Sequence, residues 1–209
     1  MTLLFARDLA VAYDGRRIFS GVDLDLGPGV YALTGRNGTG KSTLLRLLAG
    51  AQRPARGQIS IAGHDLVRQP IAARRQLSYA PDENPAYPFM TGGDVLRLVA
   101  AAKSTAPGPV VDSLVAAFGL APFLDERVDA LSLGTQKKLL LAATWVGAPD
   151  VILLDEPSNG LDAPSRDALV ARIGVDSARA VILFASHEAE FVADTGATVL
   201  ALDSLARAA

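Results

Sequence analysis

The stretch GRNGTGKS, Gly35 to Ser42, holds the residues best suited to grip an anion. Gly35, Gly38 and Gly40 permit backbone conformations that other residues resist, so successive N–H groups can turn towards one ligand. An apolar run, VYALT, precedes the loop, and a helix-like run, TLLRLLAG, follows it. The loop therefore opens onto the positive end of a helix. The spacing G-x-x-x-x-G-K-[ST] is that of a phosphate-binding loop. In this reading Gly35, Arg36, Asn37, Gly38, Thr39, Gly40 and Thr43 surround the phosphates, Lys41 reaches the β/γ-phosphates, and the Ser42 hydroxyl ligates Mg²⁺.

A second set of chemical groups sits at the ends of two other apolar runs. VILLDEP, Val151 to Pro157, places Asp155 and Glu156 at a strand end, the edge where open α/β sheets bind ligands. Asp155 there faces the Mg²⁺ held by Ser42, directly or through water. Glu156 projects the other way and can orient or deprotonate an attacking water. FASH ends a further run at His187, which can contact a γ-phosphate from the same edge.

The elements that must position these groups follow from hydrophobic patterning. GVDLDLGPG alternates Val22, Leu24 and Leu26 with Asp23 and Asp25, and ISIAG from Ile59 repeats the alternation briefly. Both predict strands with one wet face. VYALTG, VILLDE, AVILFASH and TVLAL are continuous apolar runs, which suit parallel strands buried on both faces. Helix-like segments separate them, among them Thr43 to Ala49 before Gly50 and Pro164 to Ile173 before Gly174. The expected fold is α/β, with a mainly parallel core sheet and an antiparallel β layer. From about residue 84 to 146 the pattern is helical, with Asp94 read as the N-cap of VLRLVAAAK. This block is expected to be a helical subdomain inserted into a single domain spanning residues 1–209.

Bulk properties exclude several classes. The formal net charge is -2 and the sequence pI about 5.7, which disfavours nucleic acid as a direct partner. The chain has no cysteine, so its stability needs no disulfide, and this fits a reducing compartment. Half of the residues are hydrophobic, yet the longest apolar runs fall short of the roughly 18 needed to span a bilayer. The N-terminus lacks a basic region followed by a long apolar core, so it does not read as a signal peptide.

LSLGTQKK, residues 131 to 138, contains no base, metal cluster or nucleophile. Alone it reads as a helix cap followed by basic surface residues. Together, however, the motifs resemble the ATP-binding cassette (ABC) ATPase family over nearly the whole chain. GRNGTGKST resembles its Walker A motif, VILLDEP its Walker B motif with the adjacent glutamate, SNGLD its D-loop, and His187 its switch histidine. Tyr13 stands where the family places an aromatic that stacks on adenine. LSLGTQKK occupies the signature position.

The resemblance implies the P-loop ABC-ATPase fold, with ATP and Mg²⁺ as ligands. It also implies a head-to-tail dimer, expected to be a homodimer, in which Ser132 and Gly134 grip the γ-phosphate held by a second subunit. The implied role is to energise a separate transmembrane permease, from the cytoplasmic face and through that partner alone. Two positions depart from the family pattern. The common signature is L-S-G-G-Q, where this chain has Leu133 and Thr135. Asp82 stands after Pro81, where the family usually carries a Gln that touches Mg²⁺; a carboxylate still suits a hard cation. The sequence ends soon after TVLALDSLARAA, without the regulatory domain of many importer ATPases, which suggests an exporter-like system. A soluble ABC-class ATPase acting on nucleic acid or ribosomes is the competing expectation. It would call for paired cassettes, coiled-coil arms or a basic face. A small-molecule kinase or GTPase leaves LSLGTQ, SNGLD and His187 unexplained together.

Overall fold

A computed structural model of the chain describes residues 1–13, 16–36, 38–83 and 88–205. The N-terminal half begins with β1 (Leu4–Tyr13), β2 (Arg16–Leu26) and β3 (Gly29–Thr34). α1 (Lys41–Leu48), β4 (Arg56–Ile61), β5 (His64–Asp65), α2 (Pro70–Arg75) and β6 (Leu77–Ala80) follow. Strands β2-β1-β4-β5, in that order, form an antiparallel sheet. Val22, Leu24 and Leu26 are buried, as their alternation with aspartates predicts.

Strand β1 carries no clean alternation, because its pairing with β2 shifts register between Ala6 and Leu9. Asp8, inside that irregularity, has a φ of 53° and donates its backbone N–H to Asp23 at 2.7 Å. β6 is only four residues long and also escapes the sequence patterning.

The helical block consists of α3 (Gly92–Ala102), α4 (Pro109–Ala117), single 3-10 turns at Ala121–Phe123 and Val128–Ala130, and α5 (Leu133–Thr144). The chain then returns to strands with β7 (Val151–Asp155), α6 (Ala163–Asp176), β8 (Val181–Ala185), α7 (Ala189–Asp194), β9 (Thr198–Ala201) and α8 (Leu202–Leu205). The second sheet runs β6-β7-β8-β3-β9, all parallel.

Burial on both faces explains the unbroken apolar runs. Val151, Leu153, Val181 and Leu183 pack with Leu44, Leu47 and the antiparallel sheet. Ile152, Leu154, Ile182 and Phe184 pack on the other face with Val95, Leu139, Leu169 and Phe191. Phe184 and Phe191 meet edge to face at 5.2 Å, a contact of about 0.5–1.5 kcal/mol beyond burial alone.

Helix boundaries correct the sequence reading in three places. α1 begins at Lys41 rather than Thr43, directly on the phosphate loop. The N-cap of α3 is Thr91, not Asp94: the Thr91 side chain accepts from the Asp94 N–H while the Asp94 carboxylate accepts from the Thr91 N–H. This reciprocal capping box satisfies two donors that a fresh helix leaves without partners. α6 continues through Gly174, at a propensity cost of about 1 kcal/mol relative to alanine. The extra residues deliver buried Asp176, which accepts from the Trp145 indole at 2.6 Å and from Arg179 at 2.7 Å. Among the described residues, no helix is long and apolar enough to cross a membrane.

Candidate active site

The phosphate loop joins β3 to α1 at the C-terminal edge of the parallel sheet. Gly40 is the N-cap of α1 with a φ of 105°, a conformation side chains resist. A Cβ there would also lie 2.7 Å from Ile18. Glycine is thus required twice over, by the turn and by the close approach of β2. The first backbone N–H groups of a helix have no intrahelical acceptor, and at α1 they belong to Lys41, Ser42 and Thr43. Lys41 bends back over the loop, with Nζ donating to the carbonyls of Gly35 at 2.8 Å and Arg36 at 3.3 Å. The Thr39 hydroxyl donates to the same Arg36 carbonyl at 2.9 Å. Asn37 lies outside the described residues, as does the Tyr13 side chain at the end of β1.

Ser42 and Asp155 come together as the sequence predicts. The Ser42 hydroxyl donates to Asp155 Oδ1 at 3.1 Å, joining α1 to the end of β7. Burial raises the Asp155 carboxyl above its usual range, and the nearby charges of Asp82 and Glu156 push it the same way; the Ser42 hydrogen bond opposes them. A hydroxyl and a buried carboxylate in contact form a donor pair suited to Mg²⁺, a hard cation. Among the described residues no group of three or more acids or histidines could enclose a metal.

Glu156 has a φ of 46°, in the left-handed region uncommon for a residue with a side chain. Its backbone N–H donates to Ala185 at the end of β8, which extends the sheet by one step. The turn brings its carboxylate to His187, whose Nδ1 lies 2.8 Å from Oε2, while the His187 N–H donates to the same oxygen at 3.3 Å. Such strain at a strand end persists where surrounding structure fixes it. Glu156, Ile18, Gly38, Lys41, Ser42 and Thr43 line one open cleft of about 280 Å³.

Ser132 and Gly134 lie outside that cleft, at the start of α5. The Ser132 hydroxyl caps the helix, accepting from the Thr135 N–H at 3.2 Å, and lies 2.8 Å from the Thr135 hydroxyl. Thr135 is thereby part of the cap, and Leu133 is 84% exposed, so neither departure from the family signature disturbs the helix start. Gly134 has a packing reason as well: a Cβ would sit 3.1 Å from the Gly160 carbonyl.

The two lysines of LSLGTQKK, basic surface residues when the stretch is taken alone, both have partners in the structure. Lys138 pairs with Asp162, the N-cap of α6. Lys137 is only 7% exposed, and its Nζ donates to Asp82 Oδ1 and to the Asp155 carbonyl, each at 3.2 Å. One signal for it existed. Lys137 falls on the helix face of Leu141 and Thr144, both buried, so helical periodicity points it inward.

Comparison with known proteins agrees with this geometry. Residues 19–159 match the ABC transporter family model. The chain is 33% identical to the daunorubicin/doxorubicin resistance ATP-binding protein DrrA of Streptomyces peucetius, over 91% of this chain and 60% of that protein. It is 32% identical to the cytochrome c biogenesis ATP-binding export protein CcmA of Pseudomonas putida, over 91% of this chain and 92% of the relative. A solved structure of the ATP binding subunit of an ABC transporter superposes with a TM-score of 0.86 at 31% identity, covering 91% of this chain and 82% of that one. The chain spans less than two thirds of DrrA and only 9% and 8% of the length of the ATP-binding cassette sub-family A member 7 proteins of Rattus norvegicus and Mus musculus. With a family model matching residues 19–159 and the phosphate loop, Asp155, Glu156 and His187 gathered at one sheet edge, the chain belongs to the ABC transporter ATP-binding family.

Proposed function

We propose that the chain binds and hydrolyses ATP and, through ATP-driven dimerisation, energises a separate transmembrane subunit. The carrying observation is the Glu156–His187 pair, fixed at 2.8 Å beside the Ser42–Asp155 pair and the phosphate loop. In this mechanism Lys41 leaves the loop carbonyls to hold phosphate charge, and the α1 N–H groups share that load. Ser42 and Asp155, with Asp82 nearby, would hold Mg²⁺, which would supply charge neutralisation for the phosphates. Glu156 accepts a hydrogen bond from the attacking water and takes its proton, oriented by His187. Tyr13 stacks on the adenine, and Arg36, Asn37, Gly38 and Thr39 follow the phosphates.

A second copy completes the site, with Ser132 and Gly134 of the α5 N-terminus presented to the γ-phosphate. The exposed Leu133 beside them suits a surface that becomes covered. We read residues 1–209 as one ABC ATPase domain and the block at 84–146 as its helical subdomain. The protein works on the cytoplasmic face, held at the membrane by its partner alone. An apolar groove between α2 and α3, with Ile71 71% and Leu98 48% exposed, is a surface of the kind that marks a partner site. Relatives named for export and for nickel import match this chain over 91% and 92% of its length, which supports the reading that cargo choice lies with the membrane subunit.

Two measurements test the reading. Glu156→Gln should retain ATP, accumulate as a dimer and hydrolyse ATP about 10²–10⁴-fold more slowly; wild-type turnover removes Glu156 as the base. Native-membrane co-purification should recover an integral membrane protein. Recovery of ribosomes or DNA instead would refute the transport role.

A further inference from the structure

Lys137 stands out among the buried charged groups because the phosphate loop does not account for it. A lysine ammonium has three donors. Here they face three acceptors: Asp82 Oδ1 at 3.2 Å, the Asp155 carbonyl at 3.2 Å and the Asp82 carbonyl at 3.5 Å. One side chain thereby joins the second turn of α5, the end of β7 and the loop that follows β6. The lysine is 7% exposed, whereas the Asp82 side chain that it holds is half exposed.

The same Asp82 is electrostatically felt by Asp155, whose carboxylate contacts Ser42. Asp82 therefore stands between two cationic claims, the Lys137 ammonium and a divalent ion at Ser42 and Asp155. A single carboxylate engaged by one is weakened for the other, since each contact neutralises the charge the other needs.

We propose that Lys137 is a positioning residue forming a latch with Asp82: Asp82 rests on Lys137 and is given up to the divalent cation of a bound nucleotide, loosening the tie between α5 and the loop after β6. The latch rests on the reading of this site as a Mg-nucleotide site. It gives the signature turn, which begins five residues before Lys137 at Ser132, a physical route to sense a filled cation site within its own subunit.

The test uses Mn²⁺ as the probe, titrated by EPR into the full chain saturated with ADP. Binding of ADP without metal is measured first; a wild-type chain that binds no ADP refutes the nucleotide-site reading itself, not the latch. Lys137→Met should tighten Mn²⁺ binding by about 3- to 30-fold, within the range of coupling between contacting residues. In the Asp82→Asn background the same substitution should have an effect of about twofold or less, and Lys137→Arg should restore near wild-type affinity. Equal effects of Lys137→Met in both backgrounds, or none in either, would overturn the latch, because a remote charge acts without Asp82. A second readout leaves the buried lysine intact. Amide exchange of residues 133–140 should rise in the wild-type chain when Mn²⁺ is added to the ADP complex and should not respond in Asp82→Asn. A response that survives Asp82→Asn overturns the proposal even if Lys137→Met does not fold.

Discussion

At the scale of single residues, the site depends on side chains that already have partners. Lys41 holds the carbonyls of Gly35 and Arg36, so an incoming phosphate exchanges one set of acceptors for another. The gain comes from replacing neutral carbonyls with anionic oxygens, since charge-assisted hydrogen bonds are the stronger kind. Lys41→Ala should therefore weaken nucleotide binding by about 10- to 150-fold, equivalent to 1.5–3 kcal/mol. Equilibrium titration with a fluorescent ATP analogue checks this, and unchanged affinity would remove Lys41 from the site. Glu156 and His187 act as a pair in the same sense. The left-handed turn at Glu156 aims its carboxylate at the histidine, and neither residue alone would define where a water can sit.

At the scale of elements, the termini of helices and strands do the positioning. α1, α5 and α6 all begin at residues with functional neighbours, and each start has its own device: Gly40 in a strained turn, Ser132 capping with Thr135, and Asp162 accepting from the Ser165 N–H. The Thr91–Asp94 box does the same for α3. Thr91→Ala should lower stability by about 0.5–2 kcal/mol, read as a shift in the urea midpoint without a change in slope. The strands β3, β7 and β8 were legible because burial on both faces demands unbroken apolar runs, and the groups that follow them were legible because sheet edges are where such chemistry sits. β1 escaped because a register irregularity at Asp8 breaks its period. Lys137 escaped because residue type suggested solvent, and only a tertiary contact with Asp82 and Asp155 makes burial of an ammonium tolerable. The Thr91 cap escaped because Asp94 is also a good capping residue, and only geometry tells N-cap from third position.

For the whole molecule, stability should carry a pH signature from Lys103. Its ammonium donates to the Ser78 hydroxyl at 2.6 Å, and burial pushes its pKa down from 10.5 to about 8. Between those values the unfolded chain holds a proton that the folded chain has released, so this group makes stability rise with pH across about 8 to 10.5. Urea midpoints of wild type and Lys103→Met should therefore converge as pH rises through that window; a constant gap would show that the lysine does not titrate early. The joint of α5 and α6 has a consequence of a different kind. Trp145 is the only tryptophan in the chain, 1% exposed, with its indole N–H on Asp176. The protein thus contains a single tryptophan fluorophore at the seam between the helical layer and the sheet. Its emission should be blue-shifted and resist acrylamide quenching in the native state. A red shift that coincides with loss of far-UV circular dichroism would show that helical layer and sheet melt as one unit, and a red shift at lower denaturant would show the helical layer opening first.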